Sequence, residues 1–212
     1  VFINFRQHIK IVVMNRSINT QAIILSLKPL GDNNYTVTAL TKNKGIIYAT
    51  LYGGPKSKLK SLVSQWNSGI LYLYDNQEKK QIKINDFDVK NFHSSFSENL
   101  YKAFAANLIA EIIIKTKCAG SYEECFELTQ GFIDGMEICN ENQSKLGLIR
   151  FLWRYINLLG IQPETQICEK CDNSLISKSN NHESVKDEIL FYNSLENYFL
   201  CKDCGQEILN TY

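Results

Sequence analysis

The sequence predicts an α+β chain in which a small closed β-barrel is followed by a helical bundle and a late metal-binding element. Three observations predict it. Five short apolar runs fall within about 70 residues, with no long helix among them. Beyond residue 93 the apolar spacing changes from alternating to helical. Near the C-terminus two Cys-x-x-Cys pairs stand 29 residues apart. At 212 residues and 44% hydrophobic content, the chain can bury a real core and is not globally disordered.

The predicted elements follow in order. Residues 21–27 form an apolar run that ends at the turn signal Lys28-Pro29-Leu30-Gly31. Residues 35–41 are β-branched and partly alternating, and Lys42-Asn43-Lys44-Gly45 reads as a hairpin turn in which Gly45 takes positive φ. Residues 46–52 make a third strand, closed by Gly53-Gly54-Pro55. Residues 70–74 and 81–87 follow, joined by a polar turn. Five antiparallel strands of this size suit an OB-like barrel over residues 20–92, with an SH3-like barrel the alternative.

Helical period begins with a capping box, Ser95-Phe-Ser-Glu98, leading into a helix on which Leu100, Phe104, Leu108 and Ile112 recur at helical spacing. Ser121-Tyr-Glu-Glu124 is a second capping box, ahead of a helix over residues 126–138. A third helix, residues 144–159, is stopped by Gly160 and Pro163; Phe151, Trp153 and Tyr155 lie on it, mostly as core. Helices of this length with short connections form a bundle, placed at residues 93–164. Cys118, Cys125 and Cys139 sit in apolar helical context and read as buried free thiols.

The last segment, residues 165–212, carries Cys168-Glu-Lys-Cys171 and Cys201-Lys-Asp-Cys204 and is expected to pack on the helical domain. Two such knuckles can bring four thiolates into a tetrahedron, and one structural Zn²⁺ suits a closed four-sulfur shell. At residues 1–13 the sequence lacks the continuous apolar region of a secretory signal, and translation is expected to start at Met14, leaving 1–19 as an extension. No apolar run reaches membrane-span length, and a cytoplasmic location is expected.

Charge is uneven. Residues 14–92 hold 11 Lys and Arg against 5 Asp and Glu, whereas residues 93–212 hold 10 against 17. A basic front half is suited to a polyanion. Around the third strand cations interleave with aromatics: Lys42, Lys44, Tyr48, Tyr52, Lys56, Lys58, Lys60 and Trp66. Single-stranded nucleic acid is held by cations along its phosphates and flat rings under its bases. Tyr48 and Tyr52 share a strand face; that face either stacks on bases or fills the core. Lys56, Lys58 and Lys60 fall in a polar loop, where the clustering of three like charges favours phosphate contact over solvation alone. No catalytic set is present: there is no phosphate loop, no His-Glu-x-x-His and no Gly-x-Ser-x-Gly. His8, His93 and His182 are scattered and read as surface residues, His93 in a linker.

Ala22-Ile-Ile-Leu25, Leu40-Thr41, Gly53-Gly-Pro-Lys56, Leu158-Leu-Gly160 and the two Cys-x-x-Cys pairs, taken in that order, resemble the RecO family of recombination mediators. Ala22-Ile-Ile-Leu25 with Pro29-Leu-Gly31-Asp32 is similar to that family's opening strand and turn. Leu40-Thr41-x-x-x-Gly45 is similar to its second hairpin, and Gly53-Gly-Pro-Lys56-Ser57-Lys-Leu59 to its Gly-Ala-Arg-x-x-Lys-Ser-x-Leu loop. Leu158-Leu-Gly160-Ile-x-Pro163 and the two Cys pairs are similar to its bundle exit and zinc finger. The resemblance implies a non-enzymatic DNA-repair protein. It would bind and anneal single- and double-stranded DNA, partner RecR, and engage the single-strand-binding protein so that RecA can load. Two departures stand out: the loop keeps only lysines where the family carries arginines, and Asp172 stands where Gly often follows the second Cys. The bundle is expected to offer an apolar groove to the single-strand-binding protein's tail, with Lys102, Arg150 and Arg154 as rim cations. Two competing readings are a zinc-containing enzyme and a zinc-stabilised protein-binding adaptor without DNA contact.

Overall fold

The computed structural model describes residues 17–53, 57–76, 78–175 and 190–209. Strands β1 (Ser17–Leu30), β2 (Asn34–Thr41), β3 (Gly45–Tyr52), β4 (Ser68–Asn76) and β5 (Gln81–Asn91) close into a barrel in the order β1-β2-β3-β5-β4. Strand β1 is long because it serves two neighbours. Its residues 17–23 pair with β4 and its residues 22–30 with β2, and a register shift at Leu25 lets it turn from one to the other. Closure comes where β3 and β5 run parallel, Thr50 opposite Lys83. Alternation sends Ala22, Ile24, Val37, Ala39, Ile47, Ala49, Leu51, Leu71, Leu73, Ile84 and Phe87 into one core. Gly45 has φ +65, as the predicted hairpin requires, and a Cβ there would lie 2.7 Å from the Tyr122 ring.

Between β3 and β4 the chain makes a short helix, α1 (Lys58–Leu62), where a polar loop was expected. The reason is apolar: one helical turn brings Leu59 and Val63 to the barrel core, where Val63 is fully buried and Leu59 partly so. Trp66 is not part of an exposed aromatic series either. It is 4% exposed and stacks on Phe96 with ring centroids 5.8 Å apart.

Helices α2 (Ser95–Glu98), α3 (Leu100–Thr116), α4 (Tyr122–Ile138) and α5 (Glu141–Leu158) follow. The first capping box does not form. Ser95 instead gives its hydroxyl to Glu137 at 2.7 Å, and α3 starts afresh with the Asn99 side chain accepting the Lys102 N–H at 3.0 Å. Ser121 does cap α4 by position, without a side-chain bond. Helix α3 is apolar on almost every side, so its period does not choose a face. The face that packs is Ala105, Ala106, Ile109, Ala110 and Ile113, while Leu100, Phe104 and Leu108 are exposed. Small alanines let α3 lie close against β1, which leaves Ile23 and Leu25 fully buried although alternation turns them away from the barrel core.

His93 is a second correction: it is 5% exposed, not on a surface linker. Its Nδ1 lies 2.7 Å from the Trp66 carbonyl and its Nε2 2.7 Å from the Asp134 carboxylate, so it ties β5's exit to α4. Gln65 makes a similar tie, donating to the Leu25 carbonyl at 2.8 Å and to Asn107 of α3 at 2.7 Å. Between α3 and α4 lie four successive left-handed residues: Lys117 (φ 52), Cys118 (φ 62), Ala119 (φ 52) and Gly120 (φ 81). Cys118 anchors this turn, buried and hydrogen-bonded to Cys125 and to the backbone of Ile46 in β3.

The chain divides into two compact units, with the division between Tyr155 and Ile156 inside α5. In the second, α5 ends at the predicted place, Gly160 taking φ +70. Strands β6 (Phe191–Asn193) and β7 (Tyr198–Leu200) form a hairpin, and α6 (Lys202–Leu209) follows. Among the described residues no helix is long and apolar enough to cross a membrane.

Candidate nucleic-acid interface and metal centre

Strand β3 alternates Ile47, Ala49 and Leu51 inward, which turns Tyr48 and Tyr52 outward, 58% and 43% exposed. Neither ring fills the core. Tyr52 is held in place: Gln81 donates to its hydroxyl at 2.7 Å, and the Lys83 ammonium sits 5.2 Å from its ring centroid. Lys60 likewise lies 4.7 Å from the ring of Tyr35. Lys83 and Tyr35 are residues that sequence reasoning missed. Alternation along β5 already sent Lys83 outward, but its nearness to Tyr52 depends on the non-sequential β3–β5 pairing, which no local pattern announces.

Lys44 and Lys58 are exposed, and neither they nor Lys60 make an ion pair among the described residues. Lys42 differs. Its ammonium is 2.6 Å from Glu127 and 3.3 Å from Glu123 on α4, and these carboxylates hold its pKa above the ordinary value. Its charge is already neutralised within the protein. Lys56 lies outside the described residues, as do His8, Met14 and His182.

Helices α4 and α5 enclose a groove of about 520 Å³. Phe132, Met136 and Phe151 form its apolar floor, and Arg150 and Arg154 stand along its α5 wall. Both arginines are exposed, without an ion pair among the described residues. Lys102, expected beside them, is not there. It is 6% exposed, its ammonium turned to the Glu137 carbonyl at 3.3 Å and Ser95 Oγ at 3.4 Å. Its position on the packed face of α3 explains this.

The second unit brings Cys168, Cys171, Cys201 and Cys204 together, their four sulfurs all within 4.8 Å of one another. Each knuckle is closed by a backbone bond: the Asp172 N–H donates to the Cys168 carbonyl at 2.9 Å, and the Gly205 N–H to the Cys201 carbonyl at 3.0 Å. Asp172 takes the left-handed conformation, φ 56, that a glycine would hold without strain. Gly205 is required outright, because a Cβ there would meet the Phe191 ring at 2.1 Å. Burial pushes the Cys168 thiol up, but N–H groups of Cys201, Lys170 and Cys171 outweigh it and hold it at about 6. The hydrogen bond with Cys201, and burial, push Cys204 up to about 12. The cluster could hold a metal ion.

Two family models match this sequence: Recombination protein O N terminal over residues 14–91 and Recombination protein O C terminal over residues 97–207. The chain belongs to the RecO family. Its role is in recombination and DNA repair, the family binds DNA, and RecO proteins are recombination mediators rather than known enzymes. The closed barrel is the OB-like N-terminal part of the RecO architecture. The four-Cys cluster lies within the stretch matched as RecO C-terminal. A search of curated proteins finds no match.

Proposed function

We propose that this RecO-family chain is a cytoplasmic recombination mediator that binds single- and double-stranded DNA on the outer face of β3 and the adjoining α1. The observation that carries this is the pair of outward rings, Tyr48 and Tyr52, flanked by Lys44, Lys58 and Lys60, which make no ion pair among the described residues. Rings of that kind stack on bases, and cations of that kind neutralise phosphates. Lys56 belongs to the same basic stretch of sequence. Lys42 is a weaker candidate, since a phosphate would have to displace Glu127 and Glu123. Annealing of complementary strands, loading of RecA and partnership with RecR are part of the same proposal, which the match to the RecO family supports.

The groove between α4 and α5 is the proposed seat for the acidic, apolar tail of the single-strand-binding protein. An apolar floor beside two guanidiniums that make no ion pair among the described residues complements such a peptide. The four thiols are proposed to hold one structural Zn²⁺ through Cys168, Cys171, Cys201 and Cys204. Zn–S bonds of about 2.3 Å in a tetrahedron set sulfurs about 3.8 Å apart, and Cys171 Sγ and Cys201 Sγ are 3.7 Å apart. A closed thiolate shell supplies folding stability and leaves no position for substrate.

The test is a fluorescence-anisotropy titration with oligo-dT at two salt concentrations. RecO-like binding weakens steeply as salt rises, because neutralised phosphates release counterions. Absence of oligo-dT binding at both concentrations would favour a zinc-stabilised adaptor that contacts protein alone.

A further inference from the structure

The four sulfurs of the second unit do not share one environment. Cys168 is fully buried and Cys204 nearly so, both packed with Leu175 and Leu200. Cys171 is exposed and Cys201 half-buried. The two that reach solvent belong to different knuckles, and their sulfurs lie 3.7 Å apart. A thiolate that meets solvent is open to a dissolved oxidant, whereas a buried one is shielded from it. A disulfide holds its sulfurs about 2.05 Å apart, so this pair has roughly 1.7 Å to close. A bond within either knuckle would instead draw on Cys168 or Cys204, out of the apolar cluster. The knuckles are also tied by contacts that involve no sulfur. The Glu169 N–H donates to the Phe199 carbonyl of β7 at 3.2 Å, and the Lys170 ammonium is 2.7 Å from Glu207 of α6.

We infer that Cys171 and Cys201 form a peroxide-sensitive modification site, at which a disulfide between the knuckles replaces the metal as their clasp. This rests on the reading of the four thiols as a zinc site and adds what becomes of that site under oxidation. The co-reactant is hydrogen peroxide. The exposed Cys171 thiolate attacks the O–O bond: an S–O bond forms, the O–O bond breaks, and one oxygen leaves as hydroxide. The Cys201 thiolate then attacks the Cys171 sulfur: the S–S bond forms, the S–O bond breaks, and the second oxygen leaves as hydroxide. Two electrons pass from the two sulfurs to the peroxide. The shell loses two of its four thiolates, so zinc is released as Zn²⁺, unchanged in oxidation state. The new bond spans the same gap that the metal spanned, so the unit stays closed and the exposed sulfur is kept from irreversible oxidation.

The experiment starts from the full chain, purified reduced, with its zinc measured first. It is then treated with hydrogen peroxide, its remaining thiols are alkylated, and it is digested with trypsin without reductant. Cleavage after Lys170, Lys178 and Lys202 places the four cysteines on four different peptides, so each disulfide identifies its own pair. The first disulfide is expected to join Cys171 to Cys201, with one zinc released per disulfide formed. Oxidised protein is expected to resist limited proteolysis as untreated protein does, and to lose that resistance when reductant and chelator are added together. A first disulfide on any other pair, oxidation of Cys171 to the sulfinate without a disulfide, or zinc retained in the cross-linked protein overturns the inference. So does oxidised protein that is cut as fast as the reduced, chelated form. Absence of zinc before any peroxide is added sinks the reading of the metal centre itself, and the exchange with it.

Discussion

Tyr52 and Lys42 show how differently two residues of one basic, aromatic stretch can be employed. Tyr52 has Lys83 over its ring and Gln81 on its hydroxyl, so it is held as a fixed platform. Tyr52→Ala is expected to weaken oligo-dT binding by roughly 1–3 kcal/mol while leaving the salt slope unchanged. A fall in Tm with affinity intact would show instead that the ring serves packing. For Lys44→Ala, Lys58→Ala and Lys60→Ala, each contacting lysine removed should flatten the slope of log K against log salt by about 0.7. Lys42→Ala should leave that slope alone, because its charge is spent on Glu127 and Glu123. A slope change in Lys42→Ala, with none in the other three, would move the site toward α4. The left-handed turn makes a separate prediction. Ala119 holds φ 52 at a strain of about 1–2 kcal/mol for an L side chain, so Ala119→Gly should raise stability by on the order of 1 kcal/mol, read by urea denaturation.

At the scale of elements, the four-Cys unit is expected to stand on two supports, the proposed metal and the packing of Phe191 on Gly205. Cys201→Ser is expected to abolish stoichiometric zinc in elemental analysis and to expose residues 156–212 to protease. Gly205→Ala should do the second without the first if the sulfurs still assemble; loss of zinc from that variant would show that the Phe191 contact is what orders the second knuckle. Both supports were unequally legible. The Cys spacing is local, and it named the four residues that come together. The Phe191–Gly205 approach joins residues on different elements and has no periodic signature. The same contrast runs through the first unit. The five strands were readable because alternation is a property of neighbours in sequence. The packed face of α3 was not, because Leu100, Phe104 and Leu108 have the same helical spacing as Ala105, Ile109 and Ile113. His93 and Lys102 were misplaced for a related reason: a polar residue is buried when partners elsewhere satisfy it, here Asp134 and Glu137.

At the scale of the molecule, the charge asymmetry in the sequence becomes a division of labour. The basic stretch ends on an exposed barrel face, and part of the acidic half, Glu123 and Glu127, pairs with Lys42 at the surface. High salt should therefore weaken DNA binding far more than it lowers Tm, since the fold rests on Ile23, Leu25 and their neighbours rather than on that exposed pairing. A Tm that fell with salt as steeply as affinity would assign the surface charges a larger structural share.

The burial of Ile23 and Leu25 beneath α3 has an evolutionary consequence. The two family models divide between residues 91 and 97, yet residues on both sides of that division lie in one compact unit. A barrel inherited without its helices would present two bare aliphatic side chains to water on its outer wall, with Gln65 and His93 bereft of Asn107 and Asp134. A gene exchange that cut at the seam between the two models would have to bring a matching α3 and α4 with it. This barrel is transmissible only together with its cover, and drift on one face is answerable to the other.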